Sequence, residues 1–282
     1  AKQRDMEKRA WDAMAEAYKI LQQEGVPNLF HLSHEQINLP ADGTVEGVHP
    51  SDVGMVAYAN AYEKILREIL NEPVGTMQTQ QPVVQQRDSY NWMDRHLSIL
   101  KNTQKKHYKR IIFGDSIMHF WGGAPGAPAQ RGTDTWEALP GESLNLGYGH
   151  DRVENLLWRV YHGELDGVTA DKVFIAIGTN NITAGATDDE IAEGIAFFAK
   201  AVRARLPEAE ITVMAVLPRR GREDRVEQLN VRLRAMAKEN GLNFKDQGKA
   251  FLLKDGKVDE SLFTDGLHPN AAGYQKIAKG FK

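Results

Sequence analysis

The sequence RIIFGDS at residues 110–116 runs from a short apolar segment directly into a glycine, an aspartate and a serine. A short apolar run that ends at turn-forming residues is typical of a buried β-strand. Similar runs lie at residues 173–177 and 211–216, and weaker ones lie at residues 144–146 and 242–244. We therefore predict a strand at each of these positions.

Amphipathic helical patterns separate the predicted strands. Residues 188–206 place apolar side chains on one helical stripe, and Thr187 with Glu190 predicts a capping box at its start. Residues 223–239 and 270–281 show the same spacing. Strands that alternate with helices imply crossover connections, so we predict an α/β fold whose parallel sheet is covered on both sides.

Composition excludes several classes of function. The 282 residues suffice for one large α/β domain, alone or with an appendage. A net charge of −3 gives no electrostatic footprint for nucleic acid or an anionic membrane, and no apolar run is long enough to span a bilayer. The absence of cysteine excludes disulfides, thiolate metal sites and cysteine nucleophiles. The segment from Ala1 shows no signal peptide, and the compartment stays open, with a secreted or periplasmic location expected for the full-length protein.

The N-terminal part predicts a small α+β appendage at residues 1–72. Residues 6–24 and 51–70 predict helices, and residues 28–32 predict a short strand. Residues 73–91 contain two prolines and several glutamines with little periodicity, which predicts a linker or an extended connector. The main domain then covers residues 92–282.

Four loops of the main domain carry chemically useful groups. They are residues 114–116, 147–151, 178–181 and 265–269. In an open parallel sheet, ligands bind beyond the carboxyl ends of the strands, so we expect these loops to meet at one edge. Together they offer a hydroxyl, glycine N–H groups, a side-chain amide, a carboxylate and an imidazole. Acyl transfer requires this set of groups.

Each loop taken singly also fits a structural role. Ser116 is compatible with a helix cap, and Asn180 with a turn. Gly147 and Gly149 are compatible with a tight turn, and residues 265–269 with a capped helix start. The occurrence of all these groups at successive strand ends of one domain favours catalysis.

These four loops resemble the signature blocks of the SGNH (GDSL-type) hydrolase superfamily, and they occur in its order. Residues 145–152, with residues 157–159, 163–165 and 217–219, are similar to the platelet-activating-factor acetylhydrolase-like branch. The resemblance covers residues 92–282. It implies the SGNH hydrolase fold, a three-layer α/β/α sandwich around a flavodoxin-like parallel sheet.

The resemblance also implies roles for individual residues. Ser116 is the expected nucleophile, His268 the general base, and Asp265 the carboxylate that orients the imidazole. The N–H groups of Ser116 and Gly147 and the amide of Asn180 are expected to form the oxyanion hole. The family needs no metal or cofactor, and no metal-ligand spacing is found in the sequence.

Other polar residues near these loops are predicted to serve the structure. Asp115 is expected to stabilise the turn before the serine, and His119, His150 and His162 are expected at the surface or in packing contacts. His150 lies in the predicted oxyanion loop, so a substrate contact is its alternative role.

Residues 46–55 resemble the last signature block of another SGNH branch, which includes carbohydrate esterases. Glu46 replaces the aspartate of that block, and no Gly-Asp-Ser lies upstream. Residues 1–72 therefore resemble the C-terminal end of a second SGNH domain, and two explanations stay open. The chain is a truncated or cleaved product of a two-esterase protein, or the block is an appended module in which His49 is structural.

The predicted function is that of a serine esterase. It hydrolyses small acyl esters, acetyl esters above all, through an acyl-enzyme on Ser116, and an acetylated sugar is a candidate substrate. One alternative is a lysophospholipase or thioesterase with the same triad, which would need a long apolar acyl channel. Another is a catalytically silent carbohydrate-binding module, whose mark would be a broken triad. The oligomeric state stays open.

Overall fold

A computed structural model of the chain describes residues 2–70, 74–85, 90–103 and 106–282. The chain divides into two compact units, Ala1–Val74 and Gly75–Lys282. The boundary falls inside the segment that the sequence predicts as a linker. Among the described residues, no helix has the length and apolar character needed to cross a membrane.

The first unit is helical apart from one small hairpin. Its elements are α1 (Lys2–Gln23), α2 (His34–Ile37), β1 (Thr44–Val45), β2 (His49–Pro50) and α3 (Asp52–Ile69), and β1 pairs with β2 in antiparallel fashion. Residues 28–32 form no strand, contrary to the prediction, since they have no strand to pair with and Asn28 adopts a left-handed φ of 56°.

The helix α3 buries little of its apolar surface. Its buried residues are Gly54 and Ala61, whereas Val53, Val56 and Tyr62 are 50%, 59% and 52% exposed. An apolar helix face that stays this exposed is unusual, because isolated apolar side chains on a surface are common but contiguous ones are not.

The second unit alternates strands and helices, as the sequence predicts. In chain order its elements are α4 (Trp92–Thr103), β3 (His107–Gly114), α5 (Ser116–His119), α6 (Thr133–Glu137), β4 (Ser143–Gly147), α7 (Val153–Tyr161), β5 (Thr169–Ala176), α8 (Thr179–Thr183), α9 (Asp188–Arg205), β6 (Glu210–Met214), α10 (Glu223–Glu239), β7 (Asn243–Lys245) and α11 (Ala271–Ile277). The predicted capping box is present, since the Thr187 side chain accepts the Glu190 N–H and the Glu190 carboxylate accepts the Thr187 N–H.

The described strands of this unit form one parallel sheet in the order β4-β3-β5-β6-β7. Numbered within the unit, this is the flavodoxin-like order 2-1-3-4-5, in which ligands bind at the switch point beside the first strand. Gly114 at the end of β3 lies opposite Gly147 on one side and Ala176 on the other. The loops that follow β3, β4 and β5 therefore begin at the same edge of the sheet.

Both faces of the sheet are buried. Ile111 and Phe113 belong to one apolar cluster, and the intervening Ile112 belongs to the other, with Phe174 and Phe281. Successive strand residues point to opposite faces, so a strand covered by helices on both sides must be apolar throughout. This explains the continuous apolar runs in the sequence and confirms the three-layer α/β fold.

Residues 75–85 of the predicted linker pack on this unit. The Thr79 hydroxyl donates to the Glu190 carbonyl at 2.6 Å, and the Asn155 amide donates to the Val83 carbonyl at 2.9 Å. Gln85 donates to Asp151 Oδ1 at 2.6 Å. Glutamine-rich composition suggested a free connector, but here side chains and backbone of residues 75–85 bond to α7, α9 and the loop before α7. Residues 71–73 and 86–89 of the predicted linker lie outside the described residues.

Candidate active site

A tight turn presents Ser116 at the carboxyl edge of the sheet. Ser116 is the first residue of α5, directly after β3, and Asp115 caps this helix by accepting the Ile117 N–H at 2.9 Å. A side chain at Gly114 would place its Cβ only 2.3 Å from Met118 Cγ and 2.8 Å from the Ala176 carbonyl. The Gly-Asp-Ser sequence is therefore what this turn requires. Asp115 has the structural role that the sequence predicts.

Ser116, His268 and Asp265 form a continuous hydrogen-bonded chain. Ser116 Oγ lies 2.9 Å from His268 Nε2, and His268 Nδ1 lies 2.7 Å from Asp265 Oδ2. The other carboxylate oxygen, Oδ1, accepts the His268 N–H at 2.7 Å and the Leu267 N–H at 3.0 Å. Gly266, which lies between Asp265 and His268 in the sequence, adopts a left-handed φ of 76°, a conformation that glycine adopts without steric strain.

The hydrogen bonds around Asp265 keep this carboxylate ionised. Partial burial alone would raise the pKa of Asp265, but the N–H groups of His268 and Leu267 and the His268 imidazole hold it below its ordinary value. An ionised Asp265 accepts a hydrogen bond from the protonated Nδ1 of His268. Nε2 of the same ring then carries no proton, so it can accept the hydrogen bond of the Ser116 hydroxyl. The arrangement can therefore activate the serine for nucleophilic attack.

The serine and the histidine open into a cavity of about 460 Å³. Asn180, His150, Arg152 and Arg219 are among the polar side chains that line it. Its apolar lining consists of Ala184 and Leu267, apart from the aliphatic parts of polar side chains. The cavity thus combines a nucleophile with a polar wall.

Asn180 reaches this cavity from the start of α8. Its amide Nδ2 donates to the Asp151 carbonyl at 3.0 Å, which fixes the side chain. An amide nitrogen carries two hydrogens, so one remains for a ligand. The preceding Gly178 has a φ of 133°, a conformation that glycine tolerates and that lets the chain turn sharply after β5. The structure thus brings Asn180 into the same cavity as Ser116.

Gly147 is not brought to the site, which corrects the predicted oxyanion hole. Its N–H donates to Asn145 Oδ1 at 2.7 Å, in a buried position beneath the loop. A Cβ at Gly147 would lie 2.3 Å from the His119 nitrogen, so this glycine serves close packing. The loop enters the cavity three residues later, at His150, whose φ of 65° is left-handed. His150 thus lines the cavity, a position that its alternative role, a contact with the substrate, requires.

A buried arginine pair supports that loop, and no role for either arginine is predicted from the sequence. The ring of Tyr148 lies between the guanidinium groups of Arg159, 3.8 Å away, and Arg95, 4.9 Å away. Arg159 donates to the Leu146 carbonyl at 3.2 Å, and Arg95 donates to the Gly147 carbonyl at 3.1 Å. The backbone of the loop is therefore held from below by charged donors.

Two buried carboxylates neutralise Arg159. Its Nε donates to Asp151 Oδ2 at 3.0 Å and its Nη1 donates to Glu164, and all three side chains are fully buried. Burial raises the pKa of Asp151 to about 7 in spite of Arg159. Burial would raise the pKa of Glu164 too, but Arg159 and hydrogen bonds from His96 and Tyr148 lower it. One guanidinium thus keeps one of the two carboxylates firmly ionised.

The remaining histidines have packing or surface positions, as predicted. His119 is buried and its Nδ1 accepts the Gly149 N–H at 3.0 Å, while burial lowers its pKa to about 3, so it is neutral. His162 is exposed and stacks on Trp158 with ring centroids 3.6 Å apart. Within the described residues, no group of three or more metal-ligating side chains is found.

The first unit contains a second acid–histidine pair. His49 Nδ1 contacts the Glu46 carboxylate, across the same spacing of three residues that separates Asp265 from His268. Both side chains are well exposed, at 75% for His49 and 60% for Glu46.

The surroundings of the two pairs also correspond. Gly47 adopts a φ of 80°, close to the 76° of Gly266. After each histidine–proline sequence, a side chain caps the next helix by accepting an N–H three residues on, Ser51 at 3.2 Å and Asn270 at 3.1 Å. The turn that carries Asp265 and His268 in the second unit thus has a structural counterpart in the first unit, the turn that carries Glu46 and His49.

Comparison with known proteins agrees with this geometry. Two family models, each described as the GDSL-like Lipase/Acylhydrolase family, match residues 112–276 and residues 1–67. The human platelet-activating factor acetylhydrolase IB subunit alpha2 is 27% identical over 195 residues, which are 67% of this chain and 80% of that protein. The human alpha1 subunit is 27% identical over 205 residues, 70% of this chain and 84% of that protein.

A solved structure of a GDSL-like lipase from Bacteroides thetaiotaomicron has a TM-score of 0.55 and 19% identity, and the match covers 68% of this chain and 95% of that one. This likeness concerns the fold. The first family match alone covers more than half of the chain and includes β4, β5, β6 and the loops that carry Ser116 and His268. The chain therefore belongs to the GDSL-like lipase/acylhydrolase family of the SGNH hydrolase superfamily, and it is a carboxylic ester hydrolase.

Proposed function

We propose that Ser116, His268 and Asp265 are the catalytic triad of a serine esterase that hydrolyses small acyl esters. The observation that carries this proposal is the hydrogen-bonded chain from Ser116 Oγ through His268 to Asp265, with distances of 2.9 and 2.7 Å. In the first step Ser116 Oγ attacks the ester carbonyl, and His268 Nε2 takes the hydroxyl proton. The imidazolium is stabilised by ionised Asp265.

The tetrahedral intermediate needs donors for its negatively charged oxygen. We assign this role to the N–H of Ser116, the amide of Asn180 and the N–H of His150, which takes the place of Gly147 in the prediction. His150 lines the cavity with Ser116 and Asn180, as does Arg152 at the end of the same loop, and His150 is the one of these two that lies in the predicted oxyanion loop at residues 147–151. Fixed donors of this kind stabilise charge that develops in the transition state.

The intermediate then collapses. The alcohol oxygen leaves with the proton from His268, and the acyl group stays on Ser116 as an ester. A water molecule, deprotonated by His268, attacks this acyl-enzyme, and the second collapse returns the proton to Ser116 and releases the carboxylic acid. No cofactor takes part in these steps.

A short acyl group, acetyl above all, suits this site. The cavity of about 460 Å³ is lined mainly by polar residues, with Ala184 and Leu267 as its apolar side chains, and such a lining disfavours a long alkyl chain. The relatives named platelet-activating factor acetylhydrolase support an acetyl group. The acetylated sugar that the sequence suggested stays a candidate for the alcohol part. The rival lysophospholipase or thioesterase would require a long apolar channel.

A chain-length series of 4-nitrophenyl esters tests this proposal. We expect kcat/KM to be highest for the acetate and to fall steeply at the octanoate, and we expect Ser116→Ala to abolish hydrolysis of all esters. A preference for octanoate would contradict the small-acyl assignment. Hydrolysis that survives in Ser116→Ala would contradict the triad. A panel of acetylated xylan, chitooligosaccharide and small aryl acetates would then identify the alcohol part.

We also propose that residues 1–72 are the C-terminal part of a second SGNH-like domain, joined by residues 73–91 to the hydrolase domain at residues 92–282. The Glu46–His49 pair, its flanking glycine and cap, and the family match over residues 1–67 support this. Residues 1–45 contain no Gly-Asp-Ser, so we expect the Glu46–His49 pair of residues 1–282 to contribute no hydrolysis. Residual esterase activity of Ser116→Ala that disappears on adding His49→Ala would contradict this expectation.

A further inference from the structure

An arginine without a carboxylate partner lies in the catalytic cavity. Arg219 follows β6, at the edge of the sheet where the catalytic loops meet, and lines the cavity together with Ser116 and His268. The side chain is half-buried. A charged side chain in such a position is expected to face a negatively charged group.

Among the residues that the structure describes, Arg219 forms hydrogen bonds only with neutral groups. Its Nη1 donates to the Thr183 hydroxyl at 2.8 Å, and to the carbonyl and hydroxyl of Thr179 at 3.3 and 3.4 Å. Within the described part of the chain, no carboxylate oxygen lies within 4.0 Å of the guanidinium, and Nε and Nη2 donate to no protein acceptor. A guanidinium is always charged, so these donors need solvent or a ligand.

The other charges of the cavity are already balanced. Arg152 pairs with Glu154 at 3.0 Å, and the oxygens of Asp265 are occupied by His268 and Leu267. A further carboxyl, Asp115, is buried beside the serine and attracts Arg219 electrostatically without a hydrogen bond or ion pair to it, and burial raises the pKa of Asp115 to about 7. Arg219 thus supplies positive charge that no direct ion pair with the described residues around the cavity balances.

Resting on the proposed esterase function, we propose that Arg219 binds an anionic group of the substrate. The substrate class is an acyl ester that carries a carboxylate or a phosphate close to the ester bond. A guanidinium presents parallel N–H donors that match two oxygens of either group, and Nη1 is already fixed by α8, so little side-chain freedom is lost on binding. The anion lies either on the acyl part or on the alcohol part of the ester.

Two pairs of esters distinguish these positions. The first pair is 3-acetoxybenzoate and its neutral amide, 3-acetoxybenzamide, which differ in charge on the alcohol part. The second pair is 4-nitrophenyl hemisuccinate and its neutral succinamate, which differ in charge on the acyl part, with spontaneous hydrolysis subtracted. We expect the wild-type enzyme to prefer the anionic member of one pair by about 10- to 100-fold in kcat/KM, the range of a charge-assisted hydrogen bond.

The variants Arg219→Gln and Arg219→Lys test whether this arginine is the cause. We expect the preference to fall to about one in Arg219→Gln and to be partly retained in Arg219→Lys, which keeps the charge but not the fork. The control is Arg222→Gln, which removes a neighbouring exposed charge that does not line the cavity. We expect it to retain the preference. Equal use of both members by the wild-type enzyme would overturn the proposal.

An equal loss of activity toward both members in Arg219→Gln would also overturn it, because Arg219 would then only position α8 and Asn180. Binding to Ser116→Ala provides a readout that does not depend on hydrolysis. In calorimetry this variant should bind the anionic ester more tightly than the amide, and adding Arg219→Gln should remove the difference. If wild-type hydrolysis is absent while this binding difference is present, the esterase assignment fails and the anion site stands. The absence of the binding difference rejects the anion site.

Discussion

Replacement of Arg159 by methionine isolates the energetic role of the buried charge network under the catalytic loop. The fully buried guanidinium donates to Asp151, Glu164 and the Leu146 carbonyl. Methionine has a similar length and fills much of the volume, so the main effect is to leave two carboxylates and a carbonyl buried without their donor. Removing one partner of a buried ion pair costs about 3–5 kcal/mol.

For Arg159→Met, the surroundings of the two carboxylates favour a cost at the lower end of that range. Burial already raises the pKa of Asp151 to about 7, so this carboxyl escapes most of the penalty by taking up a proton. Glu164 keeps hydrogen bonds from His96 and Tyr148. We therefore expect a loss of about 3 kcal/mol at pH 7, which corresponds to a fall in Tm of about 6–12 °C for a unit of this size. The loss should be smaller at pH 5, where both unpaired carboxyls protonate more readily.

Differential scanning calorimetry at both pH values measures this effect, with Arg232→Met as a matched control. Arg232 also contacts several carboxylates, those of Asp189, Glu193 and Glu239, but these lie at the surface. Exposed ion pairs contribute about 0–1 kcal/mol each and are not additive when they share one arginine. Equal Tm changes in the two variants, or a change under about 2 °C in Arg159→Met, would refute the reasoning from burial.

Three further substitutions test other parts of the account. Asn180→Ala should lower kcat by about 10²- to 10³-fold with little change in KM, because the lost donor acts on the transition state, and steady-state kinetics would show a KM effect instead if Asn180 only binds substrate. Asp265→Asn should lower kcat by about 10⁴-fold while the circular dichroism spectrum stays native, since an amide can no longer accept the Nδ1 proton; a loss under tenfold would exclude Asp265 from the triad. Burial raises the pKa of Asp115 to about 7, so the wild-type protein loses stability as pH rises from about 4 to 7. The variant Asp115→Asn keeps the helix cap, and its free energy of unfolding in urea should rise by about 3 kcal/mol relative to wild type between pH 5 and pH 8. A difference between the two proteins that stays constant with pH would count against a buried carboxyl.

The strands and the hydrogen-bonded chain of Ser116, His268 and Asp265 can be predicted from the sequence because their signals are local. Short apolar runs predict the strands from β3 to β7, and the parallel sheet brings Ser116 to the edge that His268 also reaches. A strand predicted at residues 28–32 is wrong, because a strand needs a partner that local composition does not reveal.

The parts that sequence patterns missed depend on long-range contacts. Gly147 and His150 lie three residues apart in one loop, and only the fold reveals that the first is buried and the second lines the cavity. Arg95 and Arg159 both reach the same loop, although they come from α4 and α7. Arg159 lies in a segment that resembles the acetylhydrolase-like branch, which was the available signal, but nothing in the pattern indicates what it contacts.

Covalent labelling of the nucleophile tests the central assignment most directly. A fluorophosphonate reacts with a serine that a neighbouring histidine activates, and mass spectrometry of the digested protein locates the adduct. We predict that one equivalent is incorporated, that the adduct lies on Ser116, and that labelling is absent in Ser116→Ala and strongly slowed in His268→Ala. Stoichiometric labelling of any other residue, or of none while ester hydrolysis continues, would contradict the assignment of Ser116 as nucleophile.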